Sequence, residues 1–481
     1  MKTNIRAQIK PDNLRAKGLL SLFYNAAKNV PAYKDFLRKN NIDPQKIGTI
    51  DDFSHVPVMT KDNYLKQYPL KDLLWDGRMN DAHIISMSSG SSGEPFFWSR
   101  GNRSIEESID LLEIPFKYSF SADRKSTLCI IAFAMGTWIA GTYILSGHMG
   151  LADRGYKAVS ITPGINTQEI IRILQRIGNQ FDQVLISGYP PFVKDILDEA
   201  QGAGVDLSRI NIRCMFAGEN FSEVFRDHIL EKIHQPDNIF ATASIYGTAD
   251  AGIMGIETPF SIMCRRLMTK DGRLFSKFFP DVQIMPSIVQ YNPLYRYCET
   301  VDHYLVFTVN NSLPLIRYNI LDQGRVIEHD QLVSEVTDAG YKIPESLSTI
   351  PKNPYVAIYG RADVATMFYS LNIYPENIKY GLEVPTLQLY ITGKFVITSE
   401  FDKNQTQTLH LYVELRDGIS ETRVLRETLL QSVIDSLQRT NSEYNKLRHE
   451  IKQKADPIIT FLPYKSERFV IKTKHRWVSK P

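Results

Sequence analysis

The sequence predicts an α/β fold in two parts: a large N-terminal domain with mixed or parallel sheets and helices, then a small C-terminal α+β domain. Three observations lead there. Between Ser126 and Asp250, short apolar runs alternate with segments of helical period, the pattern of βαβ units. From Tyr304 to Tyr359 the texture turns to β. After Gln388, strand-like runs precede one long helical segment.

The first helix is read from Leu14, Leu19, Leu20, Leu22, Phe23, Ala26 and Ala27, the second over Tyr33–Asn40. Thr60 is placed to cap a helix holding Tyr64 and Leu65. His83-Ile84-Ile85 and Pro95-Phe96-Phe97-Trp98 flank a Ser/Gly stretch, giving strand, loop, strand. A helix over Ile105–Phe116 leads to strands Ser126–Ala134 and Lys157–Ile161. Helix Thr167–Ile177 starts at a Thr cap, and strand Gln183–Gly188 follows. Helix Phe192–Ala203 stops at Gly204, strand Ile212–Ala217 runs into Gly218-Glu219, and a helix covers Ser222–Ile233. Strand Ile239–Tyr246 ends in Gly247-Thr248-Ala249-Asp250. Beyond the β-rich stretch, Gly360-Arg361-Ala362-Asp363 marks the boundary, dividing residues 1–360 from 364–481. The tail unit has strands near Gln388–Tyr390, Phe395–Thr398 and Leu409–Leu415 and a helix over Glu421–Arg439.

With 481 residues the chain exceeds one ordinary core, and 43% hydrophobic with 23% charged residues is the balance of a folded globular protein. The 56 basic and 53 acidic residues leave a net charge of +3, which gives no reason to expect nucleic acid or an anionic membrane as partner. No run is long and apolar enough for a membrane span, and Met1-Lys2-Thr3-Asn4 has no signal-like apolar region. The four cysteines are scattered without a CxxC pair, which fits a reducing, cytoplasmic setting. Cys264, Cys298 and His303 offer a zinc site only at weak spacing.

The stretch that carries chemistry is Ser88-Ser89-Gly90-Ser91-Ser92-Gly93. Its glycines let backbone approach a ligand closely, and its hydroxyls and N–H groups can donate to anionic oxygens. It is not a Walker loop, which needs Gly-Lys-Ser/Thr at a helix start. On composition alone a flexible Ser/Gly turn is the simpler account. In parallel sheets ligands collect at the carboxyl ends of strands. The Ser/Gly stretch, Ala217-Gly218-Glu219 and Tyr246–Asp250 all fall at such ends.

Seven segments, in order, resemble the adenylate-forming superfamily and within it the phenylacetate–CoA ligase branch. They are Asn25–Tyr33, Val56–Asp62, Ser88–Pro95, Ala217-Gly218-Glu219, Ile245–Asp250, Leu313–Tyr318 with Asp322, and Gly360–Asp363 with Asn372–Pro375. The resemblance spans nearly the whole chain. It implies a large ATP-binding domain, a small mobile domain pivoting at Asp363, and a reaction in two steps. ATP activates a carboxylic acid as its adenylate, releasing pyrophosphate, and a nucleophile, CoA in this branch, then displaces AMP.

The resemblance also implies roles. Ser88, Ser89, Gly90, Ser91, Ser92 and Gly93 would hold the outer phosphates. Gly218 and Glu219 would flank adenine or the acid, and Tyr246, beside Gly247, would stack on adenine. Thr248 would donate to the α-phosphate, Asp250 would hold Mg²⁺, Asp322 would accept from the ribose, and Arg361 would pair with phosphate or ribose. Lys474 or Lys472 would be the catalytic lysine of the first step. Plainer readings stand beside these: a core tyrosine, a turn-forming or capping aspartate, a surface arginine, a solvated basic tail. Glu94 stands where the branch has Lys, and Ser370 where it has Gly. The Ser370 change bears on CoA and leaves adenylation untouched. An amine, a carrier protein or a small inorganic acid such as nitrite would change the substrates, and a degenerate nucleotide-binding protein would have no turnover. Phe133, Met135, Trp138, Tyr143 and Tyr189 would suit an aromatic or fatty acid, and equally a core.

Overall fold

A computed structural model describes residues 11–79, 82–88, 96–137, 139–280, 282, 285–361, 366–382 and 384–469. Helices Pro11–Asn29 and Pro31–Lys39 open it, the second with Pro31 in its first turn, where the missing N–H has no helical partner to lose. Thr60 and Asn63 cap one another, each side chain accepting the other's N–H, yet only the short 3₁₀ turn Leu65–Gln67 forms instead of the expected helix. Tyr64 is wholly buried, edge-on to Tyr33 and Phe36, and this packing decides the path.

The strand–loop–strand reading around the Ser/Gly stretch holds at its flanks. β1 (Ile84–Ser88) pairs antiparallel with β2 (Phe96–Arg100), bringing Ser88 opposite Phe96. Residues 89–95 lie outside the described residues.

An 11-stranded sheet forms the body. Its strands, in chain order, are β3 (Thr127–Ala132), β4 (Ala158–Ile161), β5 (Gln183–Gly188), β6 (Ile212–Ala217), β7 (Thr242–Thr248), β8 (Gly252–Ile256), β9 (Ser287–Gln290), β10 (Arg296–Val301), β11 (Tyr304–Val309), β12 (Leu315–Ile327) and β13 (Tyr355–Arg361). Across the sheet the order is β10-β11-β12-β13-β9-β8-β7-β6-β5-β3-β4. β4, β3, β5, β6 and β7 run parallel. The remaining pairs are antiparallel. The switch comes at β7, which a tight turn joins to β8 with no crossover helix. β3, β5 and most of β6 are buried, as expected of parallel strands covered on both faces. The expected helix after Gly188 runs Pro190–Gly202, and the next is Glu223–Lys232, capped by Ser222. The cap of helix Thr167–Ile177 is Asn166 rather than Thr167.

Past the sheet come the hairpin β14 (Thr366–Phe368) and β15 (Leu371–Ile373), then β16 (Ile391–Phe401), β17 (Gln407–Leu415) and β18 (Ile458–Leu462), with helix Arg423–Thr440. The strand expected at Gln388–Tyr390 is instead the short helix Pro385–Gln388 and a turn, since Pro385 suits a helix start and offers no ladder donor. The zinc reading fails: Cys264 and Cys298 are buried in separate apolar clusters, and no metal-holding group exists among the described residues.

Candidate functional site

Two strand ends and the middle of a third strand converge. β6 ends at Ala217 and passes into Gly218 and Glu219; β7 ends with Tyr246, Gly247 and Thr248; β12 brings Asp322 from the antiparallel half. The Tyr246 hydroxyl donates to Asp322 Oδ2, tying β7 to β12. Tyr246 is half-buried and tilted against Phe307, with ring centroids 6.1 Å apart. Asp322 is buried and lies opposite Arg361 across the β12–β13 ladder.

The β7–β8 turn is built around Thr248 and Asp250. Thr248 Oγ1 accepts from Ala251 N at 3.1 Å, which leaves the hydroxyl proton to donate elsewhere. Buried Arg100, at the end of β2, donates to Ala249 O at 2.6 Å and lies over the Tyr143 ring. Tyr143 donates in turn to Ser104 O. Both are therefore framework side chains that hold the turn.

Asp250 Oδ2 accepts from the Tyr318 hydroxyl at 2.6 Å and lies 3.6 Å from Lys61 Nζ. Lys61 arrives there because the segment before it is stitched to β12: Met59 N donates to Arg317 O and Asn319 N donates to Met59 O. Arg317, with φ of 49°, donates to Glu299 and to the carbonyls of Ser54 and Val56. The arginine of the Leu313–Tyr318 segment thus fastens the Val56–Lys61 segment in place. Sequence reasoning assigned no role to Lys61; its only signal was its place in a matched segment.

The fold family implies Mg²⁺, and Asp250 was the expected ligand. Asp250 Oδ2 already faces an ammonium and a phenol, which leaves Oδ1 as the oxygen Asp250 could offer. A hard dication needs free carboxylate oxygens. Asp250 also anchors Lys61 and Tyr318.

The third wall comes from the β14–β15 hairpin. Phe368 pairs with Leu371, so the loop is Tyr369-Ser370, with φ of 47° and 65°. Two residues in the left-handed region make a type I′ turn, which ordinarily selects Asn-Gly; Tyr and Ser are strained there. Three bonds hold it. Tyr369 N donates to Gln407 Oε1 at 2.7 Å, Tyr369 OH donates to Asp195 Oδ2 at 2.7 Å, and Ser370 N donates to Glu219 Oε2 at 3.2 Å. Gly218, at φ of 100°, lies directly beneath. A Cβ on it would stand 2.6 Å from Ser370 Cβ and Oγ and 3.0 Å from Tyr189 Cδ1. Tyr189 packs edge-on to Phe133 at 5.1 Å. Enclosure of the Glu219 carboxylate, whose Oε1 is buried without a partner among the described residues, lifts its pKa to about 7.

Of the expected site residues, the structure gathers Gly218, Glu219, Tyr246, Gly247, Thr248, Asp250 and Asp322 at this end of the sheet. Ser88 and Arg361 are placed by backbone alone. Ser89, Gly90, Ser91, Ser92, Gly93, Trp138, Asp363, Lys472 and Lys474 lie outside the described residues. Asp195 and Gln407, which hold the hairpin, were not foreseen: nothing in a sequence ties residues so distant to one turn.

No family model matches the chain. A phenylacetate–coenzyme A ligase of Thermus thermophilus is 20% identical over 235 residues, 48% of this chain and 49% of that protein, so the match spans about half of that relative's length. The crystal structure of 2-hydroxyisobutyryl-CoA ligase with 2-HIB-AMP and CoA in the thioesterification state overlays on 100% of this chain and 95% of its own, with TM-score 0.66 and 14% identity. The same ligase in its postadenylation state with R3-HIB-AMP gives TM-score 0.55, with 15% identity, over 99% and 90% of the two chains. At such identities the likeness is one of fold.

Proposed function

We propose that this chain, which has the adenylate-forming fold and resembles its phenylacetate–CoA ligase branch, adenylates a carboxylic acid with ATP and passes the acyl group to a thiol, that of CoA. The observation that carries the reading is the contact of Tyr369-Ser370 with Gly218-Glu219. A turn from the C-terminal part is pressed onto the strand end where the acid and adenylate would lie.

The chain's own residues would divide the work. Asp322, fixed by Tyr246, is an acceptor-only carboxylate suited to ribose hydroxyls. Thr248 keeps a proton for a phosphate oxygen, and Lys61, steered by Asp250, supplies a cation where the reacting anions must meet. The Ser/Gly stretch that follows β1 in sequence would hold the outer phosphates, and Arg361 would pair with phosphate or ribose. Phe133 and Tyr189 line the apolar approach for the acid. Lys474, with Lys472 as competitor, drives the first step after residues 364–481 pivot at Asp363. In the arrangement observed, the hairpin faces the site instead, as the second step requires.

Ser370 favours a second acceptor reading. Its Oγ is buried without a partner among the described residues, over Gly218, where a narrower nucleophile than CoA would pass more easily. One assay series separates these readings. ATP and a panel of carboxylic acids are tested for pyrophosphate release; adenylated acid is then offered CoA, hydroxylamine or amines. Pyrophosphate with thioester supports the first reading, and pyrophosphate with amide alone supports the second. No pyrophosphate with any acid would refute both.

A further inference from the structure

A basic cavity lies at the other end of the sheet. Its volume is about 620 Å³, and Lys117, Ser119, Arg124, Lys125 and Arg213 are among its lining residues. Arg213 is the second residue of β6, and Lys125 lies just before β3, so the cavity sits at the amino ends of the parallel strands. The candidate site occupies their carboxyl ends.

Its charges are out of balance. Among the described residues Asp123 is the only acidic one in the lining, and it pairs loosely with Arg124 at 3.7 Å; Asp182, outside the lining, acts on Lys125 as a further carboxylate charge. Lys117, Lys125 and Arg213 make no ion pair among the described residues. Arg213 is 8% exposed, and among the described residues its guanidinium donates to the neutral amides of Gln183 and Gln235 and to no carboxylate. A buried cation without a counter-charge is costly, and proteins rarely keep one idle. Burial, then the repulsion of Arg213 and Arg124, holds the Lys125 ammonium below its usual range. Burial does the same to Arg213. An anion here would relieve both.

The wall is also unusual. Pro115–Ser119 is a π-helical turn, Ser121 sits at φ of 53°, and the Ser119 hydroxyl is buried without a partner among the described residues. Such turns recur at functional sites. Tyr118, whose ring centroid lies 5.4 Å from Lys117 Nζ, and Phe240 also line the cavity and bring aromatic rings to it.

We propose that this cavity is a second ligand site, built for a phosphorylated small molecule that carries a flat ring, such as a nucleotide. The cations and the Ser119 hydroxyl take the phosphates, and Tyr118 or Phe240 takes the ring. The site is independent of the candidate site, although β6 runs from one to the other, from Arg213 to Gly218.

The test is calorimetric titration of the full chain with inorganic tripolyphosphate, ATP and adenosine. Three proteins are compared: wild type, Lys117→Gln/Arg124→Gln/Lys125→Gln, and Asp322→Ala. The triple variant changes only side chains at the cavity mouth, and circular dichroism checks its fold. Tripolyphosphate should bind the Asp322→Ala protein, weaken steeply with added salt, and lose at least tenfold in affinity in the triple variant. ATP should bind Asp322→Ala more tightly than tripolyphosphate does, and adenosine alone should not bind it measurably. Equal tripolyphosphate affinity in the triple variant and wild type, or no binding to Asp322→Ala at all, would overturn the proposal.

Discussion

Tyr369 donates its hydroxyl to Asp195 Oδ2 at 2.7 Å, and through this bond the β14–β15 hairpin is moored to helix Pro190–Gly202 of the large sheet's flank. Lys194, next along that helix, donates to Thr406 at 2.7 Å, and Lys454 pairs with Glu199 at 2.8 Å. One helix therefore receives three attachments from the C-terminal part.

Tyr369→Phe removes the first attachment without changing the ring. A net hydrogen bond contributes about 1 kcal/mol, so transfer from preformed acyl-adenylate should slow roughly fivefold. Pyrophosphate release should hold its rate, since in the proposed two-step cycle the hairpin would face the site only for the second step. Equal slowing of both half-reactions would disprove the link between this bond and the second step.

Ser370→Gly should act in the opposite direction. Glycine enters the left-handed region freely, and the variant also deletes a buried hydroxyl without a partner. Stability should rise by about 1 kcal/mol, read as a higher midpoint in urea, and transfer to CoA should quicken. A lower midpoint would show that the serine is not strained.

Gly218→Ala should do the reverse at the facing position. The added methyl would collide with Ser370 and Tyr189. Thioester formation should fall at least tenfold, while ATP affinity stays within about twofold. A loss confined to ATP binding would place Gly218 against the nucleotide instead of the hairpin.

Glu219 makes stability depend on pH. Its folded pKa of about 7 lies above the ordinary carboxyl value, so the folded state keeps a proton that the unfolded state releases. This contribution is complete below about pH 4.5 and is lost as pH rises toward 7. At most about 3 kcal/mol is involved. Glu219→Gln cannot ionise, and its denaturation midpoint should change less between pH 5 and 7.5 than that of wild type. Parallel pH curves for the two proteins would rule the assignment out.

Asp322→Ala should raise the ATP Michaelis constant at least tenfold, because charge-assisted hydrogen bonds contribute about 1.5–3 kcal/mol each. If native protein uses 2′-deoxy-ATP as well as ATP, Asp322 does not read the ribose.

Much of this was legible in the sequence. Apolar runs of fixed length gave β3, β5 and β6 nearly to the residue, because strands buried on both faces admit little else. Ser222 and Gly204 marked their helix ends through chemistry that is local. What could not be read is what depends on distant partners. Thr60 is a sound cap, but the packing of Tyr64 overrode it. Nothing near Asp250 in sequence points to Lys61, which lies beside it in the fold. The Tyr369-Ser370 turn violates local preference and is imposed by Asp195, Gln407 and Glu219.

The strand order sets a timetable for synthesis. β13 lies between β12 and β9, so β9 leaves the ribosome with one edge open and waits for its neighbour across the whole of β10 to β12 and the helix that follows. At roughly 5–20 residues per second that wait lasts several seconds. The parallel half, β3 to β7, has all its strands by Thr248 and can collapse early. The nascent chain thus spends its most vulnerable interval with an apolar edge exposed, the condition that invites intermolecular pairing and chaperone capture. Truncations that end before Tyr355 should therefore aggregate, although they contain every residue of the parallel half.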